Sequence, residues 1–411
     1  MFGKMFLCIA FTFMFCFCAR ADSYVNYQKT GVLSVYQVNQ REKRLFGDSS
    51  LPAATSSVVL YKVKYKSTNM HGRAVVLSGL FALPKNGAPN GLVLYDHSTM
   101  WDRRESPSRY NGKNDASDIE DAAIAFASGG YAVVMPDYLG LGDDPGVHPF
   151  PLGSVNCLSG IDMVVPCRTV AKGRKTYVSP RLFVAGYSEG GAVAMWTVRT
   201  LENKPIPGNT LTAAAPMSGP YDMSGVTAES FERSTRDPKI LGARLFLLSY
   251  MGYSYQKNVP GVQLGNYFTH SFATYVPYVF KQRLTIDQAA RKLEIKGIEV
   301  GTLDSVRRAL TSRFWNAMKT KDMTDPLLRE LRQNNCNNWK PHTKMLMICL
   351  DNDTIVVPEN TEETLANMRA NGAGSNVVRD YVIHQKDLNH VTSSDPALVL
   401  AREIFDTSGK S

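Results

Sequence analysis

Apolar residues recur along this chain in two rhythms, and the change from one to the other divides it. Near the N-terminus, residues 31–38, 58–66 and 73–83 are rich in Val, Leu and Tyr, and the second run alternates apolar residues with Lys, the period of a strand with one solvated face. These predict antiparallel strands at a sheet edge, joined by a hairpin at 69–72 that makes His71 a turn residue. From residue 91 onward, short and almost wholly apolar runs at 91–95, 131–135, 181–185, 212–216, 344–350 and 376–383 are separated by segments with helical spacing at 115–128, 152–170, after 188, at 359–370 and at 395–404. Strands apolar on both sides, alternating with helices, predict an α/β fold with a doubly wound, mostly parallel sheet. Between 223 and 335 the strand rhythm lapses. Helical patterns at 239–253, 285–295, 303–318 and 326–333 flank an aromatic section holding Tyr267, Phe268, Phe272, Tyr275, Tyr278 and Phe280. Residues 22–222 and 336–411 are thus expected to form the core, and 223–335 a helical cap whose aromatics mainly pack its own interior.

The chemistry gathers at 181–191, RLFVAGYSEGG, where an apolar strand runs into G-x-S-x-G and then a helix. That setting makes Ser188 the candidate nucleophile: its hydroxyl must be exposed on a tight turn, and glycines at minus two and plus two leave room for it. The backbone NH of Glu189, at the helix start, points where a tetrahedral oxyanion would form. A serine hydroxyl needs a base, and the base an orienting acid, in chain order Ser, Asp or Glu, His, from loops after later strands. Asp353 follows the strand ending at 350 and His390 the strand ending near 383. Asp351 and Asp387 compete less well as the acid. His384 belongs to a strand end, His342 precedes the acid strand, His270 lies in the cap and His148 follows a glycine-broken loop at 136–142, which lacks phosphate-loop spacing.

Composition narrows the setting. With 411 residues, 44% hydrophobic and 20% charged, the chain can bury a large core. Lys4, an apolar run from 5 to 18 and Ala19-Arg20-Ala21 read as a signal peptide over residues 1–21, so the mature chain is expected to be secreted or periplasmic. Cys157, Cys167, Cys336 and Cys349 remain after cleavage, and three pairings are open to them. Direct pairing of Cys157 with Cys167 needs a helix break at Pro166. No Cys/His cluster has zinc spacing, so neither a metal nor another cofactor is expected. The one N-x-[ST] sequon, at Asn352, adjoins Asp353, where a glycan would block the site; a bacterial source fits better. The net charge of +9 is concentrated in the cap without any nucleic-acid motif, which leaves a solvated basic face or transient contact with anionic membrane surfaces.

The combination of YDHST at 95, GYAVVMPDYLGLG at 130, HPF at 148, GYSEGG at 186, APMSGPYDMSG at 215 and DNDTIVVP at 351 resembles the secreted α/β-hydrolases akin to fungal secretory lipases and their bacterial relatives. The resemblance implies an α/β-hydrolase fold, a triad of Ser188, Asp353 and His390, and hydrolysis of carboxylic esters, whether small-molecule or lipid. Members commonly carry His-Gly where this chain has His97-Ser98, so either Ser98 or Thr99 would give the second oxyanion NH beside Glu189. A serine peptidase of the prolyl-oligopeptidase or aminopeptidase kind is the competing expectation, though no propeller repeat precedes the core. An acyltransferase would use the same triad.

Overall fold

Nine strands pair into one sheet in the computed structural model, which describes residues 24–47, 51–114, 117–282 and 284–408. They are β1 (Tyr24–Leu33), β2 (Val58–Thr68), β3 (Ala74–Pro84), β4 (Leu92–Asp96), β5 (Ala132–Pro136), β6 (Arg181–Tyr187), β7 (Thr210–Met217), β8 (Lys344–Leu350) and β9 (Val378–Ile383). Their order is β1-β2-β3-β5-β4-β6-β7-β8-β9. The first three strands and the β3–β5 contact are antiparallel, and every pairing from β5 to β9 is parallel. Residues 1–21 lie outside the described residues.

The alternation read in β2 turns its lysines outward, where Lys62 and Lys64 reach Asp143 at 2.6 and 2.8 Å. The central strands β4 and β5 are buried along their whole length, as a sheet covered on both faces requires. One face carries the helices Val35–Phe46, Ser117–Ala127 and Ser394–Ser408, with Phe126, Phe183 and Phe405 packed ring against ring. The other carries Gly153–Gly173, Glu189–Asn203 and Glu359–Ala370.

Two expected elements differ. The strand expected over 31–38 is present only over its first three residues: β1 ends at Leu33, and Ser34 caps a helix by accepting from the Gln37 amide while the Gln37 side chain accepts from the Ser34 amide. This reciprocal cap outweighs the strand preference of Val35 and Val38, and Val38 is buried instead on a helix. The single helix expected over 303–318 is two short elements, Val306–Ala309 and Ser312–Thr320. Between them Leu310 bridges to Phe268, and Thr311 begins the second helix by accepting from the Phe314 amide. Pro166 does not break its helix, which runs unbroken from Gly153 to Gly173. Cys157, Cys167, Cys336 and Cys349 are buried free thiols. No helix among the described residues is long and apolar enough to cross a membrane.

Between β7 and β8 every element among the described residues is a helix, and this stretch has an apolar cluster in which Leu245, Tyr255, Tyr267, Phe272, Val276 and Leu293 are fully buried. Direct hydrogen bonds tie this insertion to the sheet layer. Tyr250 donates to the Met100 carbonyl at 2.8 Å, Ser254 Oγ to the His148 carbonyl at 2.7 Å, and Asn334 Nδ2 to the Pro151 carbonyl at 2.6 Å.

Asp121, on the helix Ser117–Ala127, is buried with one carboxylate oxygen unpartnered. Burial, then the nearby Asp395, Asp118 and Glu120, push its carboxyl up to about 8. A raised folded-state value means that the native protein holds a proton the unfolded chain releases, so the associated stability is full below pH 4 and is lost as pH rises to about 8. Asp121→Asn should therefore raise stability at pH 9 by on the order of 1–2 kcal/mol, seen as a higher thermal midpoint, and leave the midpoint unchanged near pH 4. Melts followed by circular dichroism at the two pH values check this.

Candidate active site

The site grows from the sheet's reversal of strand order. The chain places β5 on one side of β4 and β6 on the other, and the crevice beyond the C-terminal ends of β4 and β6 is where such sheets bind ligands. Ser188 follows β6 directly and stands before the helix Glu189–Asn203 with φ 58° and ψ −122°, a conformation an L-residue adopts only under constraint. Its amide donates to Met217 and its carbonyl accepts from Gly191, so the turn is pinned from both sides. The glycines around it are sterically required. A Cβ on Gly186 would run into the Gly190 carbonyl, one on Gly190 into the Asp96 carbonyl, and one on Gly191 into the Met217 carbonyl.

Asp353 lies in the loop after β8 and His390 in the loop after β9. The three side chains meet: His390 Nε2 is 2.8 Å from Ser188 Oγ, and His390 Nδ1 is 2.6 Å from Asp353 Oδ2. Asp353 is fully buried at its side chain, and its other oxygen accepts from the amides of Ile355 and Val356 at 2.9 and 3.0 Å. Those two bonds leave one carboxylate oxygen aimed at the imidazole. Tyr187 holds the histidine loop from below, donating to the His390 carbonyl at 2.6 Å and contacting Ser393 Oγ at 2.7 Å. Asn352 reaches the Lys386 and Leu388 carbonyls, joining the acid and base loops. Asp351 is turned away to an exposed pair with His384 at 2.8 Å.

Of the two candidates in the loop after β4, Ser98 has a committed amide, which donates to Asp118 Oδ2 at 2.8 Å. The Thr99 amide has no acceptor among the described residues, and neither does that of Glu189. The Glu189 side chain turns into the interior and meets His148 and Asn156. Sequence reasoning assigned no part to Asp118, Tyr187, Asn156 or His148. The HPF stretch and the acidic residue inside GYSEGG were the signals present for the last of them.

A cavity of about 370 Å³ opens between the loop after β4 and the helical insertion, walled by Trp101, His148, Tyr250, Tyr253 and Phe280, with Arg103 and Arg104 at its rim. Arg104 is paired with Asp102. No group of three or more His, Cys, Asp or Glu among the described residues is placed to hold a metal ion.

A mixed sheet with this strand order, a strained serine between β6 and its helix, and an acid and histidine after β8 and β9 define the α/β-hydrolase fold. Solved structures share it along nearly the whole chain. A Legionella pneumophila protein assigned as a hydrolase superposes with TM-score 0.80 at 24% identity, covering 95% of this chain and 99% of its own. The rice cell wall degrading esterase LipA from Xanthomonas oryzae gives 0.80 at 22% identity, covering 95% and 100%. Candida antarctica lipase A in its closed state gives 0.65 at 12% identity, covering 94% and 82%. No protein-family model and no curated protein matches the sequence.

Because the Gly190 Cα stands against the backbone of the β4 loop, Gly190→Ala should lower stability by roughly 2–3 kcal/mol through overpacking. A matched change at Gly208, which has open space around it, should cost much less despite its positive φ. Urea midpoints of the two variants compare them.

Proposed function

We propose that this chain is a serine hydrolase that cleaves carboxylic esters through an acyl-enzyme. The observation that carries the reading is the continuous hydrogen-bonded series Ser188 Oγ to His390 to Asp353, with distances of 2.8 and 2.6 Å. Ser188 Oγ attacks the ester carbonyl carbon while its proton passes to His390 Nε2. Asp353, held by two amides, accepts from His390 Nδ1 and stabilises the imidazolium that forms. The charge that develops on the carbonyl oxygen is received by the Glu189 amide at the helix N-terminus and by the Thr99 amide, both without competing acceptors. Collapse of the tetrahedral species expels the alcohol, protonated by His390. Water then enters, is deprotonated by the same histidine, and releases the acid.

Export under a signal over residues 1–21, a bacterial source and a soluble mature enzyme belong to the same proposal. So does the division into a core of 22–222 and 336–411 and a cap of 223–335. The cap's aromatic wall and the cavity beside the β4 loop would select among small-molecule and lipid esters, and the cap's basic surface would favour contact with anionic membranes.

A fluorophosphonate probe should label the mature protein at Ser188, and Ser188→Ala should abolish both labelling and turnover. Asp353→Asn should lower kcat by roughly 10³–10⁴-fold while the fold stays intact. A series of p-nitrophenyl esters from acetyl to palmitoyl, assayed beside aminoacyl anilides, identifies the substrate class. Faster turnover of the anilides would overturn the esterase reading in favour of a peptidase, and preferential transfer to added alcohols would favour an acyltransferase.

A further inference from the structure

His148 and Glu189 form a buried pair beside the nucleophile, with side chains only 1% and 2% exposed. His148 Nδ1 lies 2.9 Å from the Leu139 carbonyl, and a carbonyl oxygen only accepts, so Nδ1 carries a hydrogen. His148 Nε2 lies 2.9 Å from Glu189 Oε1. Two lone pairs facing each other at that distance in a dry site would repel, so a hydrogen lies between them. Whether the pair is imidazolium with carboxylate or imidazole with carboxylic acid, its net charge is zero.

Nothing else around the pair does this work. Asn156 Nδ2 reaches Oε1 at 3.4 Å but brings no charge, and Oε2 has no hydrogen-bond partner. Tyr138 stacks on the His148 ring, and His97 also stacks on Tyr138. Burial lowers His97 toward its neutral form and raises Tyr138 and Tyr250 toward theirs. Without the His148 proton, the Glu189 carboxylate would be an isolated negative charge a few bonds from its own amide. That amide is where the oxyanion is held in the proposed reaction.

We infer that His148 is a positioning residue that acts through Glu189. It neutralises the carboxyl at the start of the nucleophile helix and fixes its direction, so that the helix N-terminus presents its amides to a developing oxyanion unopposed. This inference rests on the ester-hydrolase reading. It is a matter of charge, because removing the proton source is harmful only while the carboxyl remains. The consequence is a specific non-additivity: loss of His148 should be repaired by also removing the charge of Glu189.

His148→Gln should lower kcat on p-nitrophenyl butyrate at least tenfold, and the double variant H148Q/E189Q should regain at least tenfold over H148Q alone. His148→Phe, which keeps the stacking on Tyr138, should behave in the same way with and without E189Q. A purely structural role, or a role only in lining the cavity, would show no such rescue. A folded H148Q with unchanged kcat, or a folded double variant no better than the single, overturns the inference. A readout on the unmutated enzyme keeps the test open should both His148 variants fail to fold. A slowly exchanging downfield proton between His148 Nε2 and the Glu189 carboxyl, on whichever of the two it sits, should appear in the proton spectrum of the unmutated enzyme and vanish in E189Q, and its absence from the unmutated enzyme overturns the inference. Failure of the underlying reading is distinct: unmutated protein that turns over no ester and takes no fluorophosphonate, whatever that proton shows.

Discussion

The backbone at Ser188 is the constraint on which the rest of this structure depends. A residue with a side chain is held at φ 58° because β6 ends and a helix begins with no room for a longer connection. A conformation of this kind costs on the order of 1–3 kcal/mol and persists only where its surroundings over-determine it. Here they do so with backbone. The Met217 carbonyl holds the Ser188 amide, and the Asp96, Gly190 and Met217 carbonyls occupy the space that side chains at 190, 186 and 191 would need. The strained turn therefore fixes the spacing of β4, β6 and β7 at their C-terminal ends, and with it the place of the β4 loop beside the serine.

The loops that bring the acid and the base are held by a different means. Asp353 and His390 arrive from strands two and three places beyond β6, and side chains join their loops to the elbow. Tyr187 is adjacent to the nucleophile in sequence yet spends its hydroxyl on the His390 carbonyl and Ser393. Asn352, beside the acid, binds the carbonyls just before the histidine. The insertion attaches through Tyr250, Ser254 and Asn334 to Met100, His148 and Pro151, and through Thr227 and Arg233 to Asn360 and Glu359 on the helix that follows the acid loop. Of these attachment residues Tyr250 and His148 also wall the cavity, so a shift of the insertion would alter the cavity walls.

The sheet was legible in the sequence because buried parallel strands leave short apolar runs between helical ones, and a G-x-S-x-G turn has a local steric cause. Ser188, Asp353 and His390 stand out for the same reason: each sits at a strand end in the chain order the chemistry needs. What the sequence hid were contacts without local periodicity. Ser34 with Gln37 is a cap that two valines disguised as strand, and Thr311 is a cap inside an apolar pattern that looked continuous. Ser98 and Thr99 could not be separated without knowing that Asp118 turns its carboxylate toward Ser98 across twenty residues. His148 and Glu189 lie far apart in the chain, and only the fold shows that neither is solvated.

Beneath the elbow lies a layer of titratable groups whose charged forms burial disfavours. It raises Asp96, whose Oδ2 accepts from Thr197, and Asp137, which is bonded by the Ser78 hydroxyl and the Ser108 amide. It lowers His97, which passes its Nδ1 hydrogen to the Ser98 carbonyl. In a medium of low effective dielectric, any net charge left in this layer would act on the serine more strongly than the partial charges of a helix end. In the proposed reaction, a layer pushed toward neutrality, with a hydrogen shared between Glu189 and His148, would leave the Glu189 and Thr99 amides unopposed from this side of Ser188. The Glu189 amide is fixed by the same strained turn that carries the Ser188 hydroxyl, so the feature that costs stability at Ser188 would also set the geometry of charge stabilisation in that reaction.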